Sequence, residues 1–183
     1  MAFEIDTSRK ITRALFDRLY DECFSYTSVE RQRLGDDAKT RAWATLLADD
    51  VIHRRYILDD YVVGCAVTKT IETNFSGQPE KWCWYIQPTY GETQSGSRSW
   101  WYSEDFQKAG RQHMDDNGYE KVVAIHNPTS PAAIAVTNVW GKSWDGRQYF
   151  NTPEVHPVSS VLENEELVGL SSTMRAFVIS KKT

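Results

Sequence analysis

A run of small and polar residues separates a strand pattern from a helix pattern near the middle of the chain. The run Gln94-Ser95-Gly96-Ser97-Arg98-Ser99 follows a strand that stops at Pro88 and precedes a helix expected at about residues 98–116. The first amide groups of a helix have no partner inside it, and the helix dipole makes that end partly positive. Together with the Arg98 guanidinium, such a joint is suited to bind an anion, for example the phosphate of a cofactor. The alternative is an ordinary solvated loop rich in serine.

Two titratable side chains are expected at the ends of predicted strands. His126 closes a short apolar strand and is a candidate general base, because the ordinary pKa of histidine is near neutral. Glu72 closes the second strand of a predicted hairpin and could take a proton from an attacking amine directly or through a water. The alternatives are a structural histidine and a solvated carboxylate.

Other reactive or aromatic side chains near this region have two interpretations. Tyr85 and Tyr90 are candidate proton donors, although a buried phenol with one hydrogen bond is the commoner role. Cys83 is interpreted as a small core residue rather than a nucleophile. Trp100 and Trp101 could stack on a flat ligand, but at least one of them is expected to pack the helix onto the sheet, since adjacent helical residues face different ways.

Length and composition restrict the class of protein. The chain has 183 residues, which suits a single domain over residues 1–183, and its net charge of −4 argues against nucleic-acid binding. The three cysteines and four histidines are scattered, so no metal site or disulfide is expected. No apolar run approaches the length of about 20 residues that a membrane span needs, and a cytoplasmic location is expected.

Hydrophobic periodicity predicts an alternation of strands and helices. Ser130-Pro131 is a strong helix start, and Asn117-Gly118 is a good helix stop. The predicted order is strand 2–6, helix 9–24, helix from Asp36, hairpin 51–72, loop 74–80, strand 82–86, helix 98–116, strand 121–126, helix 132–140, strand near 149–150, long loop 151–172 and strand 174–180.

This order resembles the GCN5-related N-acetyltransferase (GNAT) fold over nearly the whole chain. Asp59-Asp60-Tyr61-Val62-Val63-Gly64 is similar to the hairpin before the cofactor strand of that family, and Ile86-Gln87-Pro88 resembles the strand end. The segment Gln94–Ser99 resembles the family's small-residue turn, with serine at the three small positions and a longer spacing from Pro88. The resemblance implies an α/β fold with a mixed, twisted sheet of about six or seven strands and helices on both faces.

The resemblance also implies a function. It implies transfer of an acetyl or similar acyl group from acyl-CoA to an amine, either a small molecule or a peptide, without a metal. Glu72 or His126 would then be catalytic, and the CoA-binding residues would be Ile86, Gln94, Ser95, Gly96, Ser97, Arg98, Ser99 and Asn127. The helix at 132–140 lacks the tyrosine that the family often uses as general acid. A catalytically inactive GNAT-like binding or interaction module is therefore the alternative, and a homodimer is left open.

Overall fold

The computed structural model describes residues 2–24, 29–75, 78–86, 89–92, 100–162 and 172–183. The helices in these residues are α1 (Arg13–Cys23), α2 (Val29–Leu34), α3 (Asp37–Leu46), α4 (Glu104–Asn117) and α5 (Pro131–Trp140). The strands are β1 (Phe3–Asp6), β2 (Ile52–Leu58), β3 (Tyr61–Phe75), β4 (Gln78–Ile86), β5 (Tyr90–Gly91), β6 (Lys121–His126), β7 (Ser143–Trp144), β8 (Arg147–Gln148), β9 (Glu154–Pro157) and β10 (Arg175–Ser180).

The chain divides into two compact units, each made of two segments. The first unit comprises Met1–Lys69 and Pro88–Phe106, and the second comprises Thr70–Gln87 and Gln107–Thr183. Strand β3 begins in the first unit and ends in the second.

In the first unit the strands are antiparallel, in the order β1-β2-β3. A tight turn at Asp59 and Asp60 joins β2 to β3, and both residues have positive φ (48° and 67°). Such a turn matches the natural twist of a two-residue hairpin. The short strand β5 pairs with β3 through Gly64↔Gly91 and Cys65↔Tyr90. The chain after β4 therefore returns to the same strand, β3.

The core of the first unit forms between α1, α3 and one face of β3. Helix α1 begins after Thr12, whose hydroxyl accepts a hydrogen bond from the Leu15 amide at 3.2 Å. This N-cap satisfies one of the free amides of the first turn. The buried core residues are Ile11, Phe16, Leu19, Tyr20, Leu46, Cys65, Val67 and Tyr90.

In the second unit the strand order is β3-β4-β6-β10-β9. Strands β4 and β6 are parallel, whereas β10 is antiparallel to both β6 and β9. One core contains Cys83, Tyr85, Val123, Val158, Val161, Leu162, Ala176 and Val178. Helix α5 begins as predicted, with the Ser130 hydroxyl accepting from the Ala133 amide at 3.2 Å and Pro131 as the first helical residue.

The structure confirms the predicted fold class, a mixed α/β sheet with helices, and several element bounds. Strand β6 and helix α5 lie where they were predicted. Several predictions were wrong: α1 begins at Arg13 rather than at about residue 9, α2 was missed, β3 and β4 extend into the expected loop at 74–80, and α4 begins at Glu104 rather than at about residue 98. Residues 149–150 do not form a strand, although Phe150 makes an isolated bridge with Lys181, and β9 lies in the expected loop at 151–172. The assignment of residues 1–183 to a single domain stays a prediction.

Candidate functional site

The parallel pair β4 and β6 in the second unit provides the framework of the candidate site. Their register runs from Cys83↔Lys121 to Ile86↔Ala124. Strand β6 continues for two more residues, Ile125 and His126, which pair with Ala176 and Arg175 of β10. Ile86 of β4 therefore pairs with Ala124 of β6, and β6 extends two residues past this pair. Ile86, at this strand end, is one of the residues predicted to bind CoA.

His126 lies at the carboxyl end of β6, as predicted. Its ring packs edge-on against Phe177, with the ring centroids 5.9 Å apart. Burial disfavours the charged imidazolium and lowers the pKa of His126 to about 4. The expectation of a near-neutral pKa was therefore wrong. The imidazole is neutral at pH 7 and has a nitrogen lone pair available, but it is a weaker base than an exposed histidine.

Glu72 lies within β3 and not at its end, because β3 continues to Phe75. Its side chain is exposed, between the half-buried Ile71 and the buried Thr73. A carboxylate at this position can accept a proton from an amine directly or through a water. The predicted strand end at Glu72 was wrong, because β3 continues through polar residues to Phe75.

Asn127 shapes the connection between β6 and α5. Its side-chain oxygen accepts from the amide of Thr129 at 3.1 Å and from the hydroxyl of Thr129 at 2.9 Å, and its carbonyl accepts from the amide of Ser130 at 3.0 Å. This is an Asx-type turn, in which the side chain replaces a backbone acceptor. Asn127 thus has a structural role next to His126, and its contact with CoA stays a prediction.

The predicted anion-binding turn, Gln94 to Ser99, lies outside the described residues. Trp100, at its carboxyl side, opens a 3-10 turn that ends at Tyr102, and α4 begins only at Glu104. The Ser103 hydroxyl accepts from the Phe106 amide at 3.1 Å, and the first turn of α4 carries Glu104 and Asp105. Acidic residues already complement the positive end of this helix. The anion site predicted at Gln94 to Ser99 stays a prediction.

Three aromatic or sulfur side chains of this region, those of Trp100, Cys83 and Tyr90, are buried. Trp100 is 5% exposed and packs with Phe3, Tyr56 and Phe106, so its packing interpretation is confirmed. Cys83 is fully buried, as predicted. Tyr90 is buried, and this burial raises the pKa of its phenol far above the ordinary value. Tyr90 is therefore protonated at neutral pH and is a weaker acid than an exposed phenol.

A polar network around Arg18 in the first unit was not predicted. Nη1 of Arg18 donates to Oη of Tyr61 at 2.7 Å and to Oε1 of Glu92, and Nη2 donates to the carbonyl of Val62 at 2.7 Å. Arg18 and Glu92 are 74 residues apart in sequence. Helical spacing places Arg18 on the polar side of α1, but no local pattern indicates its distant partner.

The described residues contain no group of three or more histidine, cysteine, aspartate or glutamate side chains that could hold a metal ion. In the same part of the chain, no helix is both long and apolar enough to cross a membrane.

Comparison with known proteins identifies the fold. No family model matches the sequence, and no curated protein matches it. An acetyltransferase from Bacillus subtilis solved in complex with CoA is 11% identical, with a TM-score of 0.51 over 99% of each chain. AAC(6')-Ib in complex with Parmomycin and acetyl-CoA is 12% identical, with a TM-score of 0.54 over 100% of this chain and 94% of that one. An uncharacterised protein from Bacillus halodurans is 12% identical, with a TM-score of 0.60 over 98% of this chain and 83% of that one.

At this low identity the likeness concerns the fold alone. The chain has the fold of the GNAT acetyltransferases, which confirms at that level the resemblance read from the order of its elements.

Proposed function

We propose that this protein binds acyl-CoA and transfers the acyl group to an amine. The observation that carries the proposal is the fold, which this chain shares over nearly its whole length with acetyltransferases solved with CoA or acetyl-CoA. Fold alone does not determine activity. The parallel pair β4 and β6, whose register ends at Ile86↔Ala124, adds support because ligands in α/β sheets bind beyond the carboxyl ends of parallel strands.

The proposed binding mode follows from the strand end. The pantetheine arm of CoA is an extended chain with amide groups, and it would continue β4 past Ile86 by backbone hydrogen bonds, as an added strand does. The residues Gln94 to Ser99 would bind the pyrophosphate through backbone amides and the Arg98 guanidinium. Asn127 would lie beside the arm.

The proposed reaction is direct attack of the amine nitrogen on the thioester carbonyl carbon. The C–N bond forms, the C–S bond breaks, and CoA leaves as a thiolate, which gains the proton that the nitrogen loses as it becomes an amide. Orientation of the two substrates would supply most of the rate enhancement, and the backbone amide near Ile86 would polarise the carbonyl. The amine must lose a proton first, and Glu72, through a water, or neutral His126 would accept it.

Thermal unfolding in the presence of ligand is the first test. A ligand at 100 times its dissociation constant stabilises a protein by about 2.7 kcal/mol, so acetyl-CoA and CoA should both raise Tm clearly. ATP, which carries adenine and phosphates but no pantetheine, is the matched control and should have little effect. An unchanged Tm with both CoA ligands would refute the proposal.

Turnover is the second test. Free CoA release should be measured with acetyl-CoA and a panel of amines, including peptides with free amino termini and aminoglycosides such as the one bound in the AAC(6')-Ib complex. Release that depends on the amine supports a transferase. Binding of CoA without release for any amine would instead indicate the inactive binding module.

A further inference from the structure

The imidazole of His53 joins the sheet of the first unit to the start of helix α1. His53 belongs to β2, where it pairs with Val67 of β3, and it is half-buried. Its Nδ1 accepts a hydrogen bond from the backbone amide of Ile11 at 2.9 Å. Ile11 lies before α1, which begins at Arg13, so α1 itself supplies no acceptor for this amide. The ring therefore satisfies a backbone donor at the point where the chain enters the helix.

A second hydrogen bond fixes the position of the proton on the ring. His53 also bonds to the backbone of Leu46, the last residue of α3, and this bond favours the charged form of the ring. A bond with that effect is one in which the ring donates, so the Leu46 carbonyl is the acceptor. Because Nδ1 is already an acceptor, the neutral ring carries its hydrogen on Nε2. The carbonyls in the last turn of a helix have no partner inside it, and His53 supplies one of them with a donor.

The surroundings of His53 oppose its protonation. Burial is the main cause that lowers the pKa of His53, the positive charge of Lys10 lowers it further, and the bond to Leu46 acts in the opposite direction. Arg55, two residues further along β2, lies on the same face of the strand and is also positive. The neighbouring elements carry further charged groups: Arg13 in α1, Asp49 and Asp50 after α3, and Lys69 in β3. Two of these are already in ion pairs, Arg13 with Asp17 at 2.8 Å and Asp50 with Lys69 at 2.9 Å.

A proton on Nδ1 would make the contact with Ile11 repulsive. Two N–H groups would then face each other, and the Ile11 amide would lose its acceptor. A buried donor without an acceptor is costly, so the chain before α1 has to move away from the ring. The side chain of Ile11 is 3% exposed and packs in one core with Phe16 and Leu19, so this movement also disturbs the contacts of α1. The bond to Leu46 survives, because the charged ring still donates from Nε2.

We propose that His53 is a pH-sensitive switch in the first unit: protonation of Nδ1 breaks the hydrogen bond to the Ile11 amide and releases the start of α1, whereas the end of α3 stays bound. Histidine is the side chain that ordinarily changes its charge between pH 5 and pH 8. The inference goes beyond the proposed function and is independent of CoA binding.

The direction and the upper limit of the change follow from linkage. In the released state the ring is hydrated and has the ordinary pKa of about 6.5, whereas in the closed state its pKa is lower. The closed state is therefore fully favoured above about pH 6.5, and protons favour the released state as the pH falls. Between pH 7 and pH 5 the ratio of released to closed molecules can rise by at most about 25-fold.

Hydrogen exchange of the Ile11 amide, followed by NMR at pH 7 and pH 5, tests the switch. After correction for the intrinsic pH dependence of exchange, we expect the protection of this amide to fall by more than about threefold and by at most about 25-fold. The Leu47 amide, which donates to the Trp43 carbonyl in the last turn of α3, should lose much less protection. An unchanged protection of Ile11, or an equal fall at Leu47, would overturn the inference.

Two histidine variants separate the switch from general destabilisation in acid. His53→Asn places an amide oxygen near the position of Nδ1 but does not titrate, so the fall in Ile11 protection should vanish. His126→Gln is the matched control, because it removes the other histidine whose pKa is lowered by burial, in the second unit. It should leave the fall at Ile11 intact. A fall that persists in His53→Asn, or that vanishes in His126→Gln, would contradict the switch.

The ring nitrogens of the unaltered protein give a measurement that needs no variant. At pH 7 the nitrogen NMR signals of His53 should show a hydrogen on Nε2 and none on Nδ1. The loss of protection at Ile11 should follow the titration of Nδ1. A hydrogen on Nδ1 at pH 7, or a titration of His53 that does not coincide with the change at Ile11, would overturn the inference even if His53→Asn fails to fold.

Discussion

At the residue scale, burial distinguishes the two candidate bases. His126 is largely buried beside Phe177 and has a pKa of about 4, whereas Glu72 is exposed on β3. A base works best when its pKa is near the working pH, and a carboxylate that acts through a water loses part of its effect to distance. The kinetics of single variants at the two positions therefore show which residue takes the proton from the amine.

We expect replacement of the true base by glutamine to lower kcat/KM by about 10² or more, with CoA affinity nearly unchanged. The variants are Glu72→Gln and His126→Gln, measured separately over a range of pH. If Glu72 is the base, His126→Gln serves as the control and should change kcat/KM far less. If both variants keep full activity, neither residue takes part in proton transfer.

Protonation of the half-buried residues His53 and His126 should control stability in mild acid. His126 has a pKa of about 4, and burial lowers the pKa of His53, whose Nδ1 accepts from the Ile11 amide at 2.9 Å. In the unfolded chain both titrate near the ordinary value of about 6.5. Between that value and the folded pKa the unfolded state binds more protons than the folded state. The contribution of the two histidines to the free energy of unfolding is therefore fully present above about pH 6.5 and is lost as the pH falls.

The free energy of unfolding should therefore drop by about 2 kcal/mol for His126 alone between pH 7.5 and pH 5. Urea denaturation at the two pH values measures the drop. His126→Gln should show a smaller drop, and comparing it with the unaltered protein cancels the contributions of all other groups. An equal drop in both proteins would contradict the prediction.

At the scale of elements, glycines differ according to what surrounds them. Gly64 in β3 lies directly under the Trp100 indole, whereas a methyl group on Gly110, inside α4, would lie 3.9 Å from Trp140, an ordinary contact distance. The first glycine is required for packing, and the second only lowers helix propensity.

We expect Gly64→Ala to destabilise the protein by about 1–3 kcal/mol, because the indole or the strand must move. Gly110→Ala is the matched substitution and should stabilise it by about 0.5–1 kcal/mol through helix propensity. Both changes are measurable by chemical denaturation. A destabilised Gly110→Ala variant would indicate that the α4 backbone near Trp140 has no spare room.

At the scale of the whole molecule, the proposed function depends on the segment between Glu92 and Trp100. If its backbone amides and Arg98 bind the pyrophosphate, Arg98→Ala should weaken CoA binding about tenfold, and Ser97→Pro should abolish it by removing an amide donor. Lys108→Ala, an exposed residue of α4, is a suitable control of equal charge change. Unchanged calorimetric affinity in both variants would remove the segment from the site.

Elements with strong local signals were predictable from the sequence. The β2–β3 turn at Asp59-Asp60, strand β6 with its continuous apolar run, and helix α5 with Ser130 and Pro131 at its start all lie where they were expected. In each case the residues themselves prefer the observed conformation, by turn propensity, β-propensity or capping. The strand-helix order was enough to indicate the GNAT fold.

Only the tertiary structure decided the features that depend on distant partners. Strand β9 forms because β10 offers a ladder edge at Arg175–Val178, and β5 forms because β3 offers pairing positions at Gly64 and Cys65. The pKa of His126 follows from its burial, and Arg18 forms an ion pair with Glu92, 74 residues away. Such contacts are absent from the local sequence pattern, because hydrogen bonding and desolvation depend on which residues folding brings together.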